Sequence, residues 1–241
     1  MSGVARVAGV LGGMGPQATL DFLEKVQRVS GATRDQDHIR LIVDLNPAVP
    51  DRNVALATGD ATVGEVLAAM ARGLERAGAE FLVMVCNTAH AFRPAIEAAC
   101  QIPFVSMIDE TVADIAGRNP APRCVGVLAT GACLASGVYQ TGLERAGITT
   151  VTLSDDELAR FMALLYRIKA GDTGSELQAE AVSLADHLAH RGAQLLVAGC
   201  TELPLVLFPR NSPLPLVDAT EVLARRTVAY TRGTPLPRRR G

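Results

Sequence analysis

The sequence predicts an α/β fold built as two similar halves around mostly parallel sheets. Three observations carry this. Short apolar runs alternate with amphipathic helical stretches along the whole chain, the pattern of strands joined by crossover helices. Gly9-Val10-Leu11 recurs as Gly126-Val127-Leu128, 117 positions on. An apolar run that stops at a cysteine, Phe81 to Cys86, recurs as Leu195 to Cys200, 114 positions on. Nearly equal offsets mark an internal repeat in which each half carries a glycine turn and a cysteine turn at its strand ends.

The 241 residues suit one large or two small domains. With 49% hydrophobic residues there is enough apolar surface for a sizeable core. A net charge of -2 argues against a nucleic-acid or anionic-membrane partner. No apolar run approaches the ~18 residues of a membrane span, and the start of the chain leads straight into a strand-like run, so the expected location is cytoplasmic. Five cysteines, widely spaced and without a C-x-x-C pair, read neither as a disulfide framework nor as a metal site. The only lysines are Lys25 and Lys169, which leaves little for pyridoxal phosphate, a cofactor that needs a Schiff-base lysine. No cofactor is expected.

In the first half, residues 6–11 read as a buried strand. Gly12-Gly13-Met14-Gly15-Pro16 turns the chain into a helix to about Arg28, and Pro16 suits a first helical turn. The turn carries neither the dinucleotide nor the Walker pattern, but a glycine turn ahead of a helix can receive an anion. Ile39 to Leu45 is the next strand, and prolines make Asn46 to Asn53 a loop. There Arg52 is able to pair bidentately with a carboxylate. A helix is expected from Asp60 to Ala77, a strand over 81–85, a helix to Cys100, a short strand at Phe104-Val105 and a helix from Ile108 to Gly117.

Asn119-Pro120-Ala121-Pro122-Arg123 is the linker candidate, and beyond it the pattern restarts. Cys124 to Leu128 reads as a strand, Thr130-Gly131-Ala132 as a turn, Cys133 to Ala146 as a helix and Ile148 to Leu153 as a strand. Two helices, Asp155 to Ala170 and Ser175 to Arg191, precede the strand over 195–198. Pro204 and Pro209 limit the helix after Cys200. Leu216-Val217 is a short strand, Asp218 to Tyr230 a last helix, and 232–241 a disordered tail. The domains expected are 1–105 plus 212–231, the Cys86 half, and 106–211, the Cys200 half.

Ligands of open parallel sheets bind beyond the carboxyl ends of the strands. Two such halves facing each other would set Cys86 and Cys200 on opposite walls of one cleft. A carbon acid that loses its proton on one face and regains it on the other inverts its configuration, and this needs two bases. Cysteine, with a reference pKa of about 8.5, has both its forms accessible once the site tunes them. Asn87, Thr88 and Thr201 are placed to donate hydrogen bonds at the strand-to-helix turns, and His90 and Glu202 to accept or relay protons. A lone cysteine ending a buried strand is usually a small core residue. Two at repeat-equivalent positions, each with a threonine and an ionisable group behind it, raise the chemical reading to equal standing. Cys100 and Cys124 read as core, and Cys133, opening a helix after a turn, as intermediate between core and cleft lining.

The motifs Gly12-Gly13-Met14-Gly15-Pro16, Pro50-Asp51-Arg52, Cys86-Asn87-Thr88-Ala89-His90, Ile168-Lys169-Ala170-Gly171 and Gly199-Cys200-Thr201-Glu202 resemble those of the aspartate/glutamate racemase superfamily, and within it the aspartate racemase branch. The resemblance implies two Rossmann-like domains related by pseudo-twofold symmetry, an active site at their interface, no cofactor and a homodimer. It implies that Cys86 and Cys200 are the acid/base pair. Met14, Asn87, Thr88 and Thr201 would then hold the α-carboxylate and amino group, and Arg52 and Lys169 a side-chain carboxylate. Members usually carry a threonine where Cys133 stands, so the pocket from Thr130 to Cys133 departs from the pattern.

The function expected is cofactor-independent racemisation of an acidic amino acid, aspartate in the first place and glutamate in the second, with Cys86 and Cys200 as the two bases. One rival is a related reaction, maleate isomerisation or decarboxylation, against which the retention of both Cys-Thr motifs with Arg52 and Lys169 speaks. Another is a protein that binds an acidic amino acid without turning it over, which has no need of two thiols.

Overall fold

The computed structural model describes residues 5–237. The chain divides into two compact units, one holding the residues up to Glu110 together with those from Thr220 onward, the other Thr111–Ala219.

The first unit is a four-stranded sheet of β1 (Ala8–Gly12), β2 (Leu41–Leu45), β3 (Phe81–Met84) and β4 (Phe104–Val105). All pairs are parallel, in the order β2-β1-β3-β4. Both central strands are wholly buried, which is why they read as unbroken apolar runs. The helices are α1 (Pro16–Ser30), α2 (Arg52–Thr58), α3 (Thr62–Arg76), α4 (Arg93–Ala99) and α5 (Met107–Ala116), the last running across the division. In α3, Val63, Leu67, Met70, Ala71 and Leu74 are buried, the stripe a helix lays on a sheet.

The second unit repeats the plan with β5 (Cys124–Leu128), β6 (Thr149–Val151), β7 (Leu195–Ala198) and β8 (Leu216–Asp218), parallel in the order β6-β5-β7-β8. Its helices are α6 (Gly131–Ala135), α7 (Val138–Arg145), α8 (Asp155–Lys169) and α9 (Ser175–His190). The start of α8 is fixed by a capping box between Ser154 and Glu157, and Phe161, Leu164, Leu165 and Ile168 form its buried stripe. Finally α10 (Ala219–Thr231) returns to the first unit, where the Tyr230 ring meets Phe81 edge-on and its hydroxyl donates to Glu110 at 2.6 Å.

The repeat holds down to the register. Leu11 pairs with Met84, and the Val85 amide donates to the Leu11 carbonyl at 3.0 Å. Leu128 pairs with Ala198, and the Gly199 amide donates to the Leu128 carbonyl at 2.9 Å. Gly9 and Gly126 also play one part. A β-carbon on Gly9 would stand 2.8 Å from Leu82 and 3.2 Å from Leu74, and on Gly126 2.7 Å from Leu196 and 3.1 Å from Leu188. These partners are themselves 114 positions apart.

Several expected boundaries move. β8 pairs with β7, so residues 212–219 go with the second unit rather than the first. The loop expected through Asn53 gives way to α2 at Arg52, because the Asp51 carboxylate accepts from the Asn53 and Val54 amides and caps a helix there. The helix expected over 133–146 is two, parted at Gly137 with its positive φ of 67°. Of the tail, Thr234 still offers its carbonyl to Arg6 at 2.8 Å, and 238–241 lie outside the described residues.

Candidate active site

Within each unit the chain leaves its first strand to one side and returns to the other, so a topological switch point falls at the carboxyl ends of β1 and β3, and of β5 and β7. That is where open α/β sheets bind ligands. In the register above, Cys86 and Cys200 stand two residues beyond the last paired positions of β3 and β7.

At the first switch point Cys86, Asn87, Thr88 and His90 are all buried. Thr88 opens a short 3-10 turn, Thr88–Phe92, that leads into α4. His90 Nδ1 lies 2.7 Å from the Cys86 carbonyl, and its Nε2 accepts from the Met107 amide at 3.1 Å. Burial lowers the imidazole pKa to about 4. Beside Cys86 runs the glycine turn. Gly13 has φ +91°, and a β-carbon there would stand 2.4 Å from the Asn46 backbone. The Gly13 amide donates to Thr19 Oγ1 at 2.9 Å, which ties the turn to α1. The Met14 side chain is 1% exposed and packs in the unit's core cluster with Leu11 and Cys86, leaving its backbone as the part able to meet a substrate. Arg52, the first residue of α2, donates from Nη1 to the carbonyls of Val49 at 3.2 Å and Pro50 at 3.0 Å.

At the second switch point Cys200, Thr201 and Glu202 are buried. The Cys200 thiol donates to Glu202 Oε2 at 3.1 Å, and the Thr201 hydroxyl donates to the same oxygen at 3.1 Å. The other oxygen, Oε1, stands 4.0 Å from Lys169 Nζ, at the end of α8. Burial first, and then the Glu202 charge, push the Cys200 thiol well above its ordinary pKa, while Lys169 pulls the other way. These surroundings favour the protonated thiol of Cys200. Thr130 caps α6, its Oγ1 accepting from the Cys133 amide at 3.2 Å, and both residues are buried.

The structure therefore brings Cys86, Asn87, Thr88, His90 and the Met14 turn to one strand end, and Cys200, Thr201, Glu202 and Lys169 to another. The link between Lys169 and Glu202 went unread in the sequence, where they stand 33 positions apart. Tyr139 was missed altogether. It is fully buried, bonds the Thr111 side chain, and its ring lies 3.2 Å from where a β-carbon on Gly199 would sit. Nothing in the local sequence of α7 marks it. Lys25 is paired with Asp21 at 2.5 Å on α1. Among the described residues no group of three or more His, Cys, Asp or Glu is arranged to hold a metal ion.

Comparison with known proteins points to one class, the amino-acid racemases. The chain belongs to the Asp/Glu/Hydantoin racemase family, whose model matches residues 11–227. It is 30% identical over 230 residues to the broad specificity amino-acid racemase RacX of Bacillus subtilis, covering 92% of this chain and 96% of that one. Among solved structures it superposes on the aspartate racemase of Picrophilus torridus with a TM-score of 0.84, at 28% identity over 96% of each chain. The glutamate racemase of Francisella tularensis in complex with D-glutamate shares the fold, with a TM-score of 0.69 at 18% identity, covering 94% of this chain and 80% of that one.

Proposed function

We propose that the protein racemises an acidic amino acid, aspartate or glutamate, without a cofactor, using Cys86 and Cys200 as its two bases. The observation that carries this reading is the repeated register that ends both central return strands in a buried cysteine. One sulfur, as thiolate, takes the α-hydrogen as a proton and becomes a thiol. The electron pair of the broken C–H bond stays on the α-carbon, delocalised into the carboxylate. The other sulfur, as thiol, gives its proton to the opposite face and is left as thiolate. Cys200, held protonated beside Glu202, suits the donor role in the resting protein. Hydrogen bonds from Asn87, Thr88 and the Met14 backbone amide serve the α-carboxylate, where charge develops, and Thr201, whose proton goes to Glu202, offers its hydroxyl oxygen to the amino group. Arg52 and Lys169 are the cations for a side-chain carboxylate. The protein works as a homodimer in the cytoplasm on this reading.

A second reading, of wider substrate range, is favoured by Lys169, which faces Glu202, and by the broad-specificity racemase among the relatives. A screen of all amino acids, without added cofactor, for loss of optical activity and for α-proton exchange in deuterated water decides between them. Acidic amino acids alone, or a broader set, are the two results expected. Cys86→Ala and Cys200→Ala should each lower racemisation by ~100-fold or more. Full racemisation by both variants refutes the two-thiol mechanism, and no exchange with any amino acid refutes the activity.

A further inference from the structure

We propose that His90 is a positioning residue for Cys86, its neutral ring clamping the backbone from which the thiol projects. The inference rests on the reading of Cys86 as one of the two bases. A backbone amide only donates, so the bond from Met107 makes Nε2 an acceptor without a proton. The ring proton then sits on Nδ1 and points into the Cys86 carbonyl at 2.7 Å. The imidazole thus spans the end of β3 and the first residue of α5, fixing two separate strand-end loops with one rigid side chain. It is 4% exposed and its ring packs against Phe104 at 5.5 Å between centroids.

A proton relay would need one ring nitrogen turned toward the thiol or the substrate, and both are committed to backbone. Nor has the ring a charge to offer at neutral pH, since burial keeps it neutral down to about pH 4. The other half has no such device. The position 114 residues on is Pro204, which has no ring donor or acceptor, and there the Cys200 carbonyl accepts from the Leu203 amide at 3.1 Å. The clamp therefore belongs to the Cys86 half alone. It matters for rate because a reacting atom misplaced by ~1 Å costs about 100-fold.

Two conservative variants separate the two bonds. In His90→Asn the amide nitrogen stands near the place of Nδ1 and keeps the bond to the Cys86 carbonyl. In His90→Gln the longer amide reaches the place of Nε2, keeps the Met107 bond, and preserves more of the ring's volume. A purely structural histidine predicts that activity follows melting temperature, with Gln at least equal to Asn and both above His90→Ala. The clamp predicts another order for kcat on the amino acid that the wild type racemises fastest. His90→Asn stays within ~10-fold of wild type, while His90→Gln and His90→Ala fall by ~100-fold, with KM changed by less than ~3-fold. The kcat profile of His90→Asn against pH keeps both limbs. In His90→Gln and His90→Ala, deuterium exchange from solvent falls for the enantiomer whose exchange Cys86→Ala abolishes and persists for its mirror image.

The proposal is overturned if His90→Asn is as slow as His90→Ala, if activity tracks melting temperature, or if exchange of both enantiomers falls alike. Those results leave the two-thiol reading standing provided Cys86→Ala is inactive. Full racemisation by Cys86→Ala removes that reading, and this inference with it.

Discussion

Replacing Gly13 by alanine tests whether the glycine turn beside Cys86 is held by a backbone contact that admits no side chain. Two costs add. A φ of +91° strains any residue with a β-carbon by ~1–3 kcal/mol. The added carbon would also stand 2.4, 2.5 and 2.6 Å from the C, N and O atoms of Asn46, backbone atoms that no rotamer change moves away. Shifting one chain segment to relieve such an overlap costs about 1–3 kcal/mol more. The sum, ~2–6 kcal/mol, is a large part of the 5–15 kcal/mol that typically holds a domain. Gly78→Ala is the internal reference, since Gly78 has φ +98° with no atom within 4 Å of its β-carbon. It incurs the first cost and not the second. Urea unfolding followed by far-UV circular dichroism suits a chain with no tryptophan. Gly13→Ala should lose ~1–3 kcal/mol more than Gly78→Ala, and lose racemisation with it. Equal losses within ~0.5 kcal/mol would refute the claim that the Asn46 contact makes Gly13 obligatory.

Three further outcomes follow from the charged groups. Glu202→Gln removes a charge that raises the Cys200 thiol, so the alkaline limb of kcat/KM should move to lower pH; an unmoved limb would mean that Cys200 does not set it. Tyr230→Phe leaves one oxygen of the Glu110 carboxylate without the hydroxyl that bonds it at 2.6 Å and should destabilise the first unit by ~1.5–3 kcal/mol in urea unfolding, against no change if that bond contributes nothing net. Glu157 is held down to a pKa of about 2 by the Ser154 amide first and by Arg191, which bonds it at 2.6 Å. Its folded pKa lies below its unfolded one, so its contribution is complete above about pH 4.5 and fades as pH falls toward 2. Wild type should therefore lose more melting temperature between pH 5 and 2.5 than Glu157→Gln, as scanning calorimetry at both pH values would read.

The sequence was most legible where one local signal decides the structure. The runs Cys124–Leu128 and Leu195–Ala198 are buried on both faces, and their bounds match the expected strands residue for residue. The cysteine turns were legible for the same reason. Less was legible where a partner is distant. Leu216-Val217 looks alike whichever sheet it joins, and only its pairing with β7 settles which unit holds it. Asp51 caps α2 from among prolines that mask the signal. At the site, sequence shows that His90 titrates and sits four residues from Cys86. It does not show that Met107, far along the chain, takes the second nitrogen. Lys169 read as a cation for substrate because its motif suggested it, whereas its nearest carboxylate in the structure is Glu202.

The matched register of the two central strand pairs has a thermodynamic corollary. Enantiomers in water have the same free energy, so detailed balance binds an amino-acid racemase to equal kcat/KM in its two directions, whatever surrounds either base. His90 against Pro204, Thr88 against Glu202 and Asn87 against Thr201 are therefore differences that no ratio of kcat/KM between directions can register. They are free to alter which bound form accumulates, and so kcat and KM separately. A duplicated scaffold serving such a reaction keeps its strand ends in step while the residues behind each thiol drift apart, and the drift changes kcat/KM in both directions alike or kcat and KM separately, never the balance between directions.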